Sequence, residues 1–390
     1  MGKFLPYMTK DYSIGLFNDD VNDIYHSAFG ALTEAYEKFI NPISSTFFDK
    51  EAINLLDICY GIGYNTKAFL QKVYSTNNSI KKINIDCVDT DNELIEISPF
   101  IKTKINFIDR LIHKNQLFKN IQNYNEAKKI LTNNSNIRNK YKIDEFINII
   151  LLKNLIEKLE DRNLSKEAKN ILSKNENRTF FNKNMLFLYE FLSKNEVQLV
   201  QKDFLSTFVH NIYYKYVSKQ YKLCNKLSDK VEFNINFYPI DIRQHLKTSQ
   251  HKYDIVLLDG FTPAKCPCIW SVDFLKKLST LLNNDSVIIT YNTSAPVRNA
   301  MKQAGLNIGN TIDSNNRFIG TVASNNMLLI EHPLSEAQEG LLNTKAGIPY
   351  RDNDLSLENE AIISNRTLEI ENSNLISSSQ YYKHQKEGTK

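Results

Sequence analysis

Four aspartates stand where apolar runs give way to turns, and their surroundings suit ligand chemistry. Three close such runs: Ile83 to Val88 ends at Asp89, Phe233 to Ile240 at Asp241, and Tyr253 to Leu258 at Asp259. The fourth, Asp57, lies inside the run Ile53 to Cys59, just before the turn Tyr60-Gly61-Ile62-Gly63. A carboxylate at the position of Asp89 can accept both ribose hydroxyls of a nucleoside, or it is a polar strand end facing water. Asp241 can accept from an adenine amino group or cap the helix that carries His245. Asp57, set among apolar neighbours, needs a partner, and the ammonium group of a bound amino acid would serve. Gly61 and Gly63 allow a ligand to approach the backbone closely. A dinucleotide fingerprint would need a third glycine where Thr66 stands, which disfavours a nicotinamide or flavin ligand.

Asp259-Gly260-Phe261 is the sharpest group. Group transfer to an amine requires a neutral nitrogen lone pair. A carboxylate can orient the amine and take its proton, while an aromatic face supports a flat base or a cationic transition state. The alternative is a tight turn whose Phe261 packs into the core.

These residues need a scaffold that gathers strand ends, and the order of elements supplies one. Strand, glycine turn, helix from Asn65, strand and acid is the opening of a nucleotide-binding α/β domain, in which ligands collect outside the carboxyl ends of the strands. A helix is predicted earlier, from Ser27 to Phe39. Residues 101–227 read as helices and Asn-rich connections, with Ile147, Leu151, Leu155 and Leu159 forming one apolar stripe. Strands resume after residue 230, with a fifth predicted at Ser286 to Tyr291 and one or two more within 317–331 around Gly320. Helices are predicted from Val272 to Leu282 and from Ala295 to Ala304. The segment after Pro333 reads as an ordered arm, with a floppy terminus beyond Asn372. The expected organisation is a core of 1–100 and 228–333, a helical insertion at 101–227, and a carboxyl-terminal arm and tail at 334–390.

Composition narrows the classes. The chain has 390 residues and a hydrophobic fraction of 42%, enough for a substantial core. A net charge of +4 permits a nucleic-acid partner without arguing for one. The five cysteines are odd in number and scattered, unlike a secreted disulfide framework. Cys266 and Cys268 lack a second pair that would complete a zinc site. No metal is expected. With no signal-like or membrane-length apolar run, a cytoplasmic location without membrane association is expected.

The stretch Leu258-Asp259-Gly260-Phe261-Thr262-Pro263-Ala264-Lys265-Cys266-Pro267, followed by Trp270, resembles the LDGFAPAKNP-x-x-W signature of the methyltransferase that completes 5-methylaminomethyl-2-thiouridine at the tRNA wobble position. Asp57 to Asn65 resembles the E-x-G-F-G-x-G-x-N segment of that family. Asp89 and Asp241 match its ribose-side and adenine-side acids. Tyr12-Ser13 through Phe17 and the region of Tyr25 match more weakly, and Ala346 to Asp352 resembles the tail of stand-alone members.

The resemblance implies a class I, Rossmann-like S-adenosylmethionine-dependent methyltransferase fold interrupted by the long helical insertion. It implies cofactor contacts from Asp57, Gly61, Gly63, Asn65, Asp89 and Asp241, and a catalytic group of Asp259, Phe261 and Lys265, the lysine touching RNA or steadying the loop. The implied partner is the tRNA anticodon stem-loop, and the implied reaction methylates the 5-aminomethyl group of uridine 34. No second strand-GxGxxG-helix unit is present for the flavin domain that some members carry. Two departures are Cys59, in place of the first glycine of the turn, and Cys266, in place of the asparagine of the signature. Alternatives are methylation of another RNA position or a small amine, or a non-catalytic RNA-binding protein. For RNA contact, Lys215, Lys219 and Lys222 lie at helical spacing beside Tyr213, Tyr214 and Tyr216.

Overall fold

The computed structural model describes residues 4–9, 11, 13–18, 23–24, 30–76, 79–98 and 231–387. The predicted insertion at 101–227 and the Lys215–Lys222 face lie outside the described residues. By internal packing the chain divides into two units, one of Met1–Glu34, Gly61–Gln71 and Glu93–Lys230 and one of Ala35–Tyr60, Lys72–Asn92 and Val231–Lys390.

The second unit is built on seven strands: β4 (Ala52–Ile58), β5 (Lys82–Asp89), β6 (Glu232–Pro239), β7 (Tyr253–Leu258), β8 (Leu282–Thr290), β9 (Asn307–Ile312) and β10 (Phe318–Ser324). Their order is β6-β5-β4-β7-β8-β10-β9. All neighbouring pairs are parallel except those of β10, which runs antiparallel to β8 and β9. This is the Rossmann-like arrangement of class I methyltransferases. Leu55 of β4 lies opposite Ile85 of β5 on one side and Ile255 of β7 on the other. Strand order reverses between β4 and β7, the place where open parallel sheets open a crevice for ligands. Every residue of β7 is buried, as a strand covered on both faces requires.

Helices follow the strands where caps permit. Asp241 caps α4 (Ile242–Thr248), and Ser271 caps α5 (Val272–Ser279) by accepting the Phe274 N–H. Helix α6 (Ala295–Gln303) begins with a proline in its first turn. Trp270, Phe274, Leu275 and Leu278 pack with Val297, Ala300 and Met301 in the main apolar cluster. In the carboxyl-terminal arm, α7 (Glu336–Leu342) carries a Ser335–Gln338 capping box, and α8 (Asn359–Glu371) and α9 (Ser378–Glu387) follow.

The first unit holds an antiparallel meander of β1 (Phe4–Met8), β2 (Ile14–Asn18) and β3 (Asp23–Ile24). Burial works against the charge of Asp11, but hydrogen bonds from Ser13, Thr9 and Thr33 outweigh it and hold its carboxyl at about 2. This acid fixes the start of α1 (Ala31–Ala35) through the Thr33 N–H at 2.8 Å. Chain continuity carries β4 through the glycine turn into α2 (Tyr64–Ser75), and β5 into α3 (Asn92–Ile97).

The helix predicted from Ser27 to Phe39 is present in its described part as α1 followed directly by a wider helical turn, Tyr36–Ile40, while Ser27 to Phe29 lie outside the described residues. Three expectations need correction. The helix predicted to reach Leu282 stops at Ser279, and Leu282 already begins β8. Strand β9 escaped prediction because Asn307, Gly309 and Asn310 are poor strand formers. Its buried Asn310 is accommodated by donors from Arg298 at 2.9 Å and Gln338 at 3.1 Å. The terminus beyond Asn372 is helical through α9, whose start is fixed by reciprocal Ser377–Gln380 hydrogen bonds, while Tyr381 reaches the Ala337 carbonyl at 3.3 Å.

Candidate active site

Within the second unit, three of the four aspartates stand at the carboxyl edge of the sheet, at the ends of β5, β6 and β7. Asp89 is the last residue of β5, Asp241 follows β6, and Asp259 follows β7. Asp57 is wholly buried inside β4, opposite Cys87 and Leu257. Backbone hydrogen bonds extend the sheet past its last residues: the Asp259 N–H donates to the Ile58 carbonyl at 3.2 Å and the Tyr60 N–H to the Val88 carbonyl at 3.1 Å. Cys59 is thereby held between the ends of β5 and β7.

Cys59 is a site residue whose geometry sequence reasoning left unstated. Its φ is 61°, in the left-handed region. A residue with a Cβ pays roughly 1–2 kcal/mol for that conformation. That conformation explains why a glycine turn suits the position. Burial pushes the thiol well up, and the carboxylates of Asp89, Asp259 and Asp57 push in the same direction. The thiol stays neutral among acids. Its sulfur also crowds Gly260: a Cβ there would lie 3.2 Å from Cys59 Sγ and 1.9 Å from Ile269 Cδ1. A side chain there would have to displace the end of Ile269.

The loop after Asp259 is tied down by its carbonyls. Tyr291 Oη donates to the Gly260 carbonyl and Trp270 Nε1 to the Phe261 carbonyl, both at 2.8 Å. Trp270 is fully buried and meets Tyr291 edge to face at 6.2 Å. Phe261 is only partly buried, so the alternative of a core-packed ring is not what forms. Lys265 is exposed, and its carbonyl accepts from Asn359 at 3.4 Å. Cys266 and Cys268 place their sulfurs 3.6 Å apart. Among the described residues no cluster of three or more His, Cys, Asp or Glu side chains is placed to hold a metal, and no helix is long and apolar enough to cross a membrane.

Asp89 Oδ1 accepts the Asp91 N–H at 2.9 Å, which fixes the carboxylate at the strand end. Asp241 fills the capping role, one of the two that its sequence position allowed. It accepts the Arg243 N–H at 2.8 Å and the Arg243 guanidinium at 2.8 and 3.1 Å. Burial opposes its charge, and the hydrogen bonds and charge of Arg243 more than offset this, so the carboxyl titrates below the usual range. Gly61, Gly63 and Asn65 belong to the other unit. There the glycines take φ of 55° and 80°, as their turn requires. Asn65 is buried at the start of α2.

This rim of acids and close-approach glycine fits a nucleoside-bearing cofactor. Residues 202–326 match the family described as S-adenosyl-L-methionine-dependent methyltransferase. The tRNA 5-methylaminomethyl-2-thiouridine biosynthesis bifunctional protein MnmC of Campylobacter hominis is 27% identical over 163 residues, 38% of this chain and 24% of that protein. The chain carries an MnmC-like S-adenosylmethionine-dependent methyltransferase domain. An uncharacterized protein of Methanocaldococcus jannaschii is 31% identical over 134 residues, 34% of this chain and 38% of that one. The chain thus spans well under half the length of these relatives. In fold, the methyltransferase domain is similar to the crystal structure of MnmC2 from Aquifex aeolicus, with a TM-score of 0.55 at 17% identity, covering 96% of this chain and 87% of the other. The cofactor of such a domain is S-adenosylmethionine.

Proposed function

We propose that this protein methylates the 5-aminomethyl group of the wobble uridine, uridine 34, of tRNA, giving 5-methylaminomethyl uridine with or without the 2-thio group. The likeness to MnmC proteins supports tRNA modification. The observation that carries the finer reading is the fixed corner at Asp259-Gly260-Phe261, where an acid, a partly buried aromatic ring and two tethered carbonyls meet at the switch point of the sheet. When bound, S-adenosylmethionine supplies an electrophilic methyl group. Asp57, Gly61, Gly63, Asn65, Asp89 and Asp241 would hold it, Asp89 through the ribose hydroxyls.

The residues of the loop prepare the acceptor. A primary amine is mostly an ammonium at neutral pH and has no lone pair. Asp259 would orient it, accept its proton and leave the nitrogen nucleophilic. Phe261 would support the uracil ring, and exposed Lys265 would meet the phosphate backbone of the anticodon stem-loop. Holding the two reactants in line would supply much of the rate. The test is methyl transfer to tRNA bearing 5-aminomethyl uridine, read by mass spectrometry of the wobble nucleoside. Methylation of another position or another amine would replace this substrate. Cofactor binding without transfer to any RNA or amine would favour a non-catalytic role.

A further inference from the structure

A buried strap of the carboxyl-terminal arm is attached to the adenine-side acid through one arginine. Arg243 donates to Asp241, and its Nη1 donates to Asp352 Oδ2 at 3.0 Å and to the Leu357 carbonyl at 2.8 Å. The side chain of Asp352 is 0% exposed and that of Arg243 15%, whereas Asp241 is 30% exposed and can be reached by a ligand. Asp352 Oδ1 accepts the N–H groups of Ser356 at 3.0 Å and Leu357 at 2.8 Å, and the Asp352 N–H donates to Asp273 at 2.7 Å. Inside this turn Asp354 and Leu355 take φ of 60° and 53° without being glycine. Such backbone persists only where its surroundings over-determine it. Lys247 adds a bond to the Leu355 carbonyl at 3.2 Å.

Capping alone does not need this apparatus, because a serine or asparagine caps a helix as well as aspartate does. The arginine clamp does something else. Three N–H donors of Arg243 bind the Asp241 carboxylate: the backbone N–H on Oδ1 at 2.8 Å, Nη2 on Oδ2 at 2.8 Å, and Nε shared between Oδ2 at 3.1 Å and Oδ1 at 3.3 Å. Three donors thus face a carboxylate with roughly four acceptor positions, and the long Nε–Oδ1 branch is the one that a ligand donor can take over. That leaves one position for a ligand on an accessible side chain that is locked in rotation and kept ionised. That matches a single exocyclic N–H donor.

We propose that Asp352 is a positioning residue of the cofactor site, acting through Arg243 to aim the remaining acceptor of Asp241 at the adenine amino group. The inference rests on the reading that Asp241 meets adenine. Through this relay the arm sets nucleobase selectivity.

The experiment measures binding of S-adenosylhomocysteine and of S-inosylhomocysteine, which lacks the amino donor, to the full chain by calorimetry. Asp352→Asn should weaken S-adenosylhomocysteine about tenfold, the effect of loosening a charged hydrogen bond, and leave S-inosylhomocysteine unchanged within about twofold. Added to Asp241→Asn it should cause no further loss, because both act on one contact. Arg243→Lys, which keeps the charge but loses the fork, should reproduce the selective loss and covers the case in which Asp352→Asn does not fold. Equal weakening of both nucleosides, or full additivity with Asp241→Asn, would overturn the inference and leave Asp352 a turn former. If Asp241→Asn itself leaves S-adenosylhomocysteine affinity unchanged, the reading of Asp241 falls and takes the inference with it. A responsive Asp241→Asn beside normal Asp352→Asn and Arg243→Lys overturns the inference alone.

Discussion

The backbone N–H of Asp259 donates to the carbonyl of Ile58 across 3.2 Å, so the acid that leaves β7 is locked to the end of β4. Its side chain starts from a backbone tied to the carboxyl edge of the sheet. Position and chemistry thus come from different sources, the first from sheet pairing and the second from the carboxylate.

Asp259→Asn keeps the size of the side chain and removes its charge. Turnover should fall on the order of 10²–10⁴-fold, the range for a positioned acid-base group. Cofactor affinity and thermal stability should stay near wild type. Single-turnover transfer to tRNA carrying 5-aminomethyl uridine, alongside calorimetry with S-adenosylhomocysteine, measures both. Near-normal turnover would leave Asp259 a turn-forming residue.

Asp89→Asn should act on binding instead. Exchanging a charged acceptor of ribose hydroxyls for a neutral one costs about 1.5 kcal/mol, roughly a tenfold loss in affinity. The Asp91 N–H can still be accepted by the amide oxygen, so the turn at the strand end should survive. Calorimetry with S-adenosylhomocysteine reads the change, and saturable binding of NAD would contradict the site as described.

Trp270→Phe isolates the tether on the Phe261 carbonyl. The ring remains large and apolar in its buried place, while the 2.8 Å hydrogen bond is lost. Stability should drop by about 1 kcal/mol. Turnover should fall more than cofactor affinity, because the residues proposed to meet the acceptor lie on this loop. Tyr291→Phe should behave similarly through the Gly260 carbonyl. An unaltered ratio of turnover to affinity in both variants would show that the tethers serve stability alone.

The sheet and its acids were legible because strand, turn and acid recur in the chain: Asp89, Asp241 and Asp259 each close an apolar run, and all three reach the carboxyl edge. Three things were not legible. Strand β9 hides behind Asn310, whose burial depends on Arg298 and Gln338, residues distant in sequence or on another element. The left-handed φ of Cys59 carries no local signature, since cysteine is a poor choice there. The partnership of Arg243 with Asp352 joins positions 109 apart, which no periodicity could reveal.

A cluster on the other side of β5 gives a pH dependence. His245 packs on Tyr238 and meets Tyr253 Oη at 3.0 Å, and Tyr253 donates to Asp86 at 2.7 Å beside His251. Burial lowers the His245 titration, Asp86 opposes that shift and His251 adds to it. The folded protein therefore keeps this imidazole neutral to lower pH than the unfolded chain, which takes up a proton near 6.5. Its contribution is present above that pH and is lost as pH falls below it, by up to about 1.4 kcal/mol per unit. Denaturant unfolding at several pH values should show this slope in the wild type and a flatter one in His245→Gln. Parallel curves would assign the slope to other groups.

The pairing of β5 with β6 has a kinetic consequence. Asn236 and Asp86 are hydrogen bonded at 2.9 Å although 150 positions separate them. Loop-closure entropy grows only logarithmically, with each doubling of length costing about 0.6 kcal/mol, so the finished sheet loses little by so long a connection. The search for that pairing is a different matter, since distant contacts slow folding. Because β6 pairs with β5 alone at the end of the strand order, it can leave the sheet without breaking the pairings among β5, β4, β7 and β8. Substitutions such as Ile235→Val should therefore speed unfolding while leaving the main folding rate nearly unchanged. The strand that presents Asp241 would be the first piece lost, and competence to bind cofactor would go before the rest of the sheet does.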